Sequence, residues 1–390
     1  MKEIITEKSG IKMFILIISS VYLLGCAYVF CRGLQAFDSS QGKIVFSIVF
    51  WLISLLFFAG QIIERSNFSS QPWVSGISFV YSVWLAVLLY AFLAVLCIDL
   101  VRLVNHFLHF IPENIFTPKN LFAGVSVLVG LFVLAGAINA AFPRVREIEL
   151  TINKPCERKE IRLALVSDVH MGFIFGNSRT ARMVREINTL KPDLVVFAGD
   201  VVDHNPTPVM HNDMGKHFAH IDAPLGVFAV TGNHEYIGNV TASTTYLAQY
   251  GVRYLHDSVA EVSCLQLAGR DDRSKMRPTC TVCKPRLSMD KLLANTDPAK
   301  PLILIDHQPV EYDLAEKLGV DLMLSGHTHH GQLFPFKWIT EKVYHLSNSD
   351  NLMSRGASRF IISSGYGTWG PPVRLGNRPE IVLVKLRFAE

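Results

Sequence analysis

The sequence predicts two parts of different class: an α-helical bundle of about four membrane spans, followed by a layered α/β domain. Three observations predict this. Mean hydropathy is +0.29 with only 18% charged residues, too apolar for an ordinary soluble chain of 390 residues. The apolar excess is confined to residues 1–142. Beyond residue 160, short apolar runs alternate with helical stretches, the pattern of layered α/β packing.

In the first part, apolar runs fall at Met13 to Cys31, Ile44 to Ile63, Trp73 to Ile98 and Leu121 to Phe142. Each is long enough to cross a hydrocarbon core of about 30 Å as a helix. Leu23-Leu24-Gly25-Cys26 loosely resembles a lipoprotein cleavage box, but the apolar run continues through Ala27-Tyr28-Val29-Phe30, so a span is expected. Of the flanking Lys and Arg residues, ten collect on one side and four (Arg32, Lys43, Arg102, Lys119) on the other. Positive residues are retained on the cytoplasmic side, so the second domain is expected to face the cytoplasm. Asp99, Arg102, His106 and His109 recur at helical spacing among apolar residues and read as a helix lying in the headgroup zone. Residues 143–160 read as a linker between 1–142 and the second domain, 161–390.

In that domain, Ile161 to Val166, Leu194 to Ala198, Val227 to Val230, Leu302 to Ile305, Leu322 to Leu324 and Phe360 to Ile362 read as short buried strands. Val259 to Ala268 and Ile381 to Phe388 add strands, and Arg179 to Leu190, Thr241 to Tyr250 and Val310 to Lys317 are the clearest helices. Cys280-x-x-Cys283 beside Cys264 admits a zinc knot or a disulfide. The surrounding Arg, Lys and Pro favour free thiols in a surface loop.

Five blocks carry the chemistry: Asp168-Val169-His170, Gly199-Asp200-Val201-Val202-Asp203, Gly232-Asn233-His234-Glu235, His307 and Gly326-His327-Thr328-His329. Each sits where an apolar run gives way to glycine or polar residues, as when strands deliver ligands to loops at one sheet edge. Asp168, His170, Asp200, Asn233, His307, His327 and His329 offer carboxylate, amide and imidazole donors suited to two divalent ions. So many imidazoles disfavour magnesium and calcium and suit Mn, Fe, Zn or Ni, with Mn expected. A carboxylate such as Asp200 can bridge two ions that share a hydroxide and bind a phosphate.

These ordered blocks resemble the calcineurin-like metallophosphoesterase superfamily over residues 160 to 390. The resemblance implies an α/β/β/α sandwich and phosphoester or pyrophosphate cleavage by a metal-bound hydroxide. It implies one metal on Asp168, His170, Asp200 and His329 and a second on Asp200, Asn233, His307 and His327. It makes His234 the residue that protonates or stabilises the leaving oxygen, and Asp203 the carboxylate that orients it. His307-Gln308-Pro309, the Gly326 to Gln332 block and Gly365 to Arg374 resemble the membrane-associated bacterial members, which places the chain in a bacterial inner membrane. His330 departs from that subgroup's glycine and is expected to be a solvated loop residue.

Leu333-Phe334-Pro335-Phe336-Lys337-Trp338 follows the last ligands. It places aromatic residues near the cleft, either as lid packing or as a stretch admitting a lipid-linked phosphate. Arg270-Asp271-Asp272 and Arg374 are further candidates to line it. The expected partners are a lipid bilayer and a phosphorylated substrate, such as UDP-2,3-diacylglucosamine. A soluble nucleotide or a phosphoprotein is the alternative substrate, and a transport or binding module with a regulatory phosphoesterase domain the alternative role. A net charge of +4 and no basic, aromatic-rich tract argue against nucleic acid.

Overall fold

The computed structural model describes residues 2–276, 285–346 and 351–389, so Cys280 and Cys283 lie outside the described residues. The chain divides into two compact units. One comprises the residues up to Phe68, Pro72–Ala137 and Pro371–Val373; the other comprises Ser69–Gln71, Ile138–Gly370 and the residues from Arg374 on.

The first unit is helical: α1 (Lys2–Leu34), α2 (Ser40–Glu64), α3 (Pro72–Leu108) and all but the last turn of α4 (Pro118–Ala141). All four helices contain stretches long and apolar enough to cross a membrane. Polar pairs tie them together. Arg32 Nη2 lies 2.7 Å from Asp99 Oδ2, the Tyr28 hydroxyl donates to Asp99 at 2.5 Å, the Tyr81 hydroxyl donates to Glu64 at 2.5 Å, and Trp84 Nε1 donates to Ser54 at 3.1 Å. In hydrocarbon such hydrogen bonds hold helices where apolar burial gives no advantage. The stripe from Asp99 to His106 is therefore not a separate surface helix. It continues α3, which ends at Leu108 with His109 just beyond it, and Arg32 of α1 gives Asp99 a partner.

The second unit has two six-stranded sheets. Its strands are β1 (Arg144–Pro155), β2 (Glu160–Val166), β3 (Leu194–Ala198), β4 (Val227–Val230), β5 (Val252–Tyr254), β6 (Ser258–Val262), β7 (Leu265–Gly269), β8 (Leu302–Ile305), β9 (Leu322–Ser325), β10 (Leu352–Arg355), β11 (Ser358–Ile362) and β12 (Glu380–Ala389). One sheet runs β1-β12-β2-β3-β4-β5 and the other β10-β11-β9-β8-β7-β6. The helices are α5 (Asn177–Thr189), α6 (Thr207–His211), α7 (Asn233–Ile237), α8 (Val240–Ala248), α9 (Met289–Leu293), α10 (Tyr312–Lys317) and α11 (Lys337–Val343).

Strand alternation builds the layers. Leu163 and Leu165 point into a core between the sheets with Val196, Ile303, Ile305, Leu322 and Leu324, while Ala164 and Val166 face a second core with Met183, Ile187 and Leu247 of α5 and α8. A third cluster packs Leu292 and Ala315 of α9 and α10 on the other sheet. The result is the α/β/β/α sandwich, and each fully buried Leu or Ile contributes about 2–3 kcal/mol.

Three local expectations are corrected. Residues 144–155 are not linker but strand β1, pairing in parallel with β12, because Ile148 and Ile152 reach the inter-sheet core between polar, exposed neighbours. Val259 to Ala268 is not one strand but the β6–β7 hairpin, turned at Ser263, whose φ is 54°. Cys264 is not a free thiol: it forms a disulfide with Cys156, just beyond β1, across 108 residues of sequence.

Candidate metal centre and acid pair

Every candidate for the metal sites and the acid pair follows the C-terminal end of a parallel strand. β2, β3 and β4 are mutually parallel, as are β8 and β9. Asp168 and His170 follow β2, Asp200 and Asp203 follow β3, and Asn233 and His234 follow β4. His307 follows β8, and His327 and His329 follow β9. The structure brings all nine together.

Ligand atoms of Asp168, His170 and His329 lie within 4.8 Å of one another, as do those of Asp200, His307 and His327. Asp200 Oδ2 stands between the groups, 3.2 Å from His307 Nε2 and 3.9 Å from His170 Nε2. Asn233 Oδ1 is 3.2 Å from His307 Nε2 and 2.8 Å from His327 Nδ1. His170 Nε2 and His329 Nε2 face each other at 2.9 Å. His307 Nδ1 donates to the Ala198 carbonyl at 2.8 Å, which turns its Nε2 into the cluster. Acceptor atoms converging in buried pockets fit divalent cations on both groups.

The backbone is held in an unusual state to do this. Asp168, His170, Asp200, His327 and His329 have φ between 44° and 69°, the left-handed region that costs about 1–3 kcal/mol per non-glycine residue. Close packing imposes it. A Cβ on Gly232 would collide with the Asp200 carboxylate, and one on Gly326 with that of Asp168.

Glu235 is the residue whose part sequence reasoning missed. Fully buried, it accepts hydrogen bonds from the backbone N–H groups of Gly232 at 2.8 Å, Val202 at 3.0 Å and Asp200 at 3.2 Å. Burial first, and then the Asp200 charge, push its carboxyl up to about 7. The available signal was a glutamate three residues after Gly232, the spacing of a capping box.

His234 and Asp203 form a separate pair. His234 Nδ1 lies 2.6 Å from Asp203 Oδ1, and its backbone N–H donates to Asp200 Oδ1 at 2.8 Å. Burial alone would lower the His234 imidazolium, but the Asp200 charge and the Asp203 hydrogen bond outweigh it and raise the group to about 9. His329 is driven the other way, well below its ordinary value, by burial first and then by the neighbouring His170 and Arg374. The Arg374 guanidinium is buried 3.2 Å from His329 Nδ1.

Other expectations change. His330 is not solvated: it is buried, 3.2 Å from Glu341 through Nε2. Arg270 is held by Asp306 at 2.9 Å and Glu311 at 2.7 Å, and Asp271 by His256 and Lys275, so both are spent in ion pairs. Asp272 holds Gln308 at 2.8 Å, next to His307. Phe334, Phe336 and Trp338 are exposed and do not pack as core. Trp369, not singled out from sequence, is 59% exposed with its ring 6.3 Å from that of His234, and the Gln332 side chain grips its backbone on both sides.

A calcineurin-like phosphoesterase family profile matches residues 161–331. An uncharacterized metallophosphoesterase of Aquifex aeolicus is 34% identical over 248 residues, 63% of this chain and 92% of that protein. One from Helicobacter pylori strain J99 is 30% identical over 63% of this chain and 64% of its own. A transmembrane protein with metallophosphoesterase domain from Danio rerio is 31% identical over 65% of this chain and 60% of its own. The match thus spans less than two thirds of the latter two proteins.

Two measurements check this geometry. Glu235→Ala strands three buried N–H groups and should destabilise by about 3 kcal/mol or more. A thermal melt of the full chain should then fall by several degrees; an unchanged midpoint would show that the clamp carries no load. Burial alone would lower His307, but the Asp200 carboxylate more than offsets it and holds the group well above its ordinary value, so a cation must displace that proton. Mn²⁺ affinity should therefore rise with pH. Calorimetry in buffers of different ionisation enthalpy should record proton release, and its absence would contradict the arrangement.

Proposed function

The chain belongs to the calcineurin-like metallophosphoesterases, a family of metal-dependent phosphoester hydrolases, and from that premise we propose a membrane-anchored dinuclear phosphohydrolase. Asp200 carries the proposal, because its carboxylate faces ligand atoms of both groups. Asp168, His170 and His329 would hold one divalent cation and Asn233, His307 and His327 the other, with Asp200 shared. When bound, the cations supply Lewis acidity that activates water and neutralises charge on the phosphoryl oxygens.

The chain's own groups do the rest. His307, fixed by Ala198, presents only Nε2, and burial, with Arg374 beside it, keeps His329 neutral and available as a ligand. His234 carries a proton at the Nε2 remote from Asp203, the proton a departing alkoxide needs. Asp203 holds the ring's tautomer and angle. Trp369 beside His234 offers an aromatic face to a bulky organic leaving group.

The proposed substrate is a lipid-linked phosphoester or pyrophosphate of the UDP-2,3-diacylglucosamine kind. The spans and the exposed Phe334, Phe336 and Trp338 support it. A soluble nucleotide is the competitor that assays must separate.

With Mn²⁺, purified protein should hydrolyse a bis-aryl phosphate. His234→Ala should lower turnover by roughly 10²–10⁴-fold, and Asp200→Asn should abolish it; full activity in both variants would sink the site. Activity should fall as pH rises through the His234 value. Asp203→Asn removes a carboxylate that raises that value, so the alkaline limb should move to lower pH. Turnover of lipid-linked pyrophosphates, without turnover of soluble nucleotides, would select the proposed substrate class.

A bacterial inner membrane is the proposed location, and the ten-to-four charge count favours a cytoplasmic catalytic unit. The Cys156–Cys264 disulfide favours the opposite, oxidising side. Protease added to sealed inner-membrane vesicles of known sidedness decides between them: digestion only from the outer face would overturn the cytoplasmic assignment.

A further inference from the structure

A basic cleft of about 390 Å³ on the phosphoesterase unit takes no part in the chemistry above. Asn139, Arg144, His330, Lys337, Asn377 and Arg378 line it, and none of the proposed metal ligands does. Around it, among the described residues, the ion pairs of Arg144, Arg146 and Lys337 run to two carboxylates, and Arg378 is a fourth cation. Glu380 is fully buried, 3.2 Å from Arg144 and 3.0 Å from Arg146, and Glu341 lies 3.2 Å from His330 and 3.6 Å from Lys337. Among the described residues, these four cations against two anions leave an excess of two positive charges.

The cleft is also built in advance. Asn139 Nδ2 donates to the carbonyls of Arg374 at 3.0 Å and Asn377 at 2.6 Å, and Asn377 Nδ2 donates to the His330 carbonyl at 3.2 Å. The loop carrying Arg378 is thereby pinned. Arg378 is exposed and spends one Nη2 contact on the Phe142 carbonyl at 3.3 Å, leaving the rest of its fork to an incoming anion.

Two further observations say what that anion is attached to. Asn139 belongs to the last turn of α4, the fourth candidate span, and the end of a span lies at headgroup depth. Beside Lys337, α11 has no buried residue, and Trp338, Ile339 and Val343 are 63%, 59% and 60% exposed. Exposed aromatic and aliphatic residues next to cations are the composition of a surface that sits in the headgroup–acyl boundary.

We propose that this cleft binds the phosphate of an anionic phospholipid, with the exposed face of α11 in the acyl boundary beside it. The inference is independent of the hydrolytic reading, since lipid binding is measured without turnover and none of the substituted residues belongs to the proposed metal site or acid pair.

The test is native mass spectrometry of the delipidated full chain in detergent, titrated with phosphatidylglycerol, phosphatidylcholine or inorganic phosphate. The chain should retain one tightly bound phosphatidylglycerol and no tightly bound phosphatidylcholine. The double variant Lys337→Gln, Arg378→Gln, with unchanged metal content and thermal midpoint, should weaken that retention on the order of 30-fold. Trp338→Ser with Ile339→Ser should weaken it too, through the apolar contact alone. Equal retention by wild type and the charge variant would overturn the site. Displacement of the lipid by equimolar inorganic phosphate would overturn the lipid as occupant in favour of free phosphate.

Discussion

Three backbone N–H groups converge on one buried carboxylate, Glu235, and the arrangement of the centre depends on that convergence. The β3 and β4 loops have no ladder between them beyond the strand ends. Glu235, together with the His234 N–H donated to Asp200 Oδ1, connects them and sets where Asp200 and Asn233 meet the histidines of the other sheet. A carboxylate serves better than a neutral acceptor because its two oxygens satisfy three donors in a dry interior. Its cost is burial of an acid beside Asp200: desolvation first, and then the Asp200 charge, raise the Glu235 carboxyl.

The left-handed ligand backbone follows from the same crowding. Two sheets bring five loops to one edge, and each loop must reverse within two or three residues of its strand. The core offsets the strain, since Leu163, Leu165, Val196, Ile303, Ile305 and Leu324 anchor the strands immediately before the strained residues. Fixed donor positions leave little to reorganise when a cation enters.

Much of this was legible in the sequence. Buried parallel strands are near-continuous apolar runs, and β2, β3, β4, β8 and β9 stood out because glycine or polar ligands follow each directly. What stayed hidden was set by partners far away in the chain. β1 reads as linker because only Ile148 and Ile152 of its alternation are buried, with charged or polar residues at most of the other positions. Cys156 pairs with Cys264 across 108 residues, a distance no local motif encodes. His330 follows two metal-type histidines yet lies against Glu341 and Asn351, residues 11 and 21 positions further along the chain. The acidic and basic residues of α3 matched an interfacial stripe until Arg32 supplied Asp99 with a partner.

The order β1-β12-β2 has a consequence for biosynthesis. Of these strands, β1 emerges first from the ribosome, directly behind the fourth span, and β12 emerges last, yet β12 lies between β1 and β2. Until it arrives, β1 has no neighbour in the sheet and β2 lacks one edge partner. The half-made domain must wait at the membrane with an open seam. Completion of the sheet is thus the step that joins the strand nearest the membrane anchor to the rest of the domain, and it cannot precede synthesis of residue 380 onward.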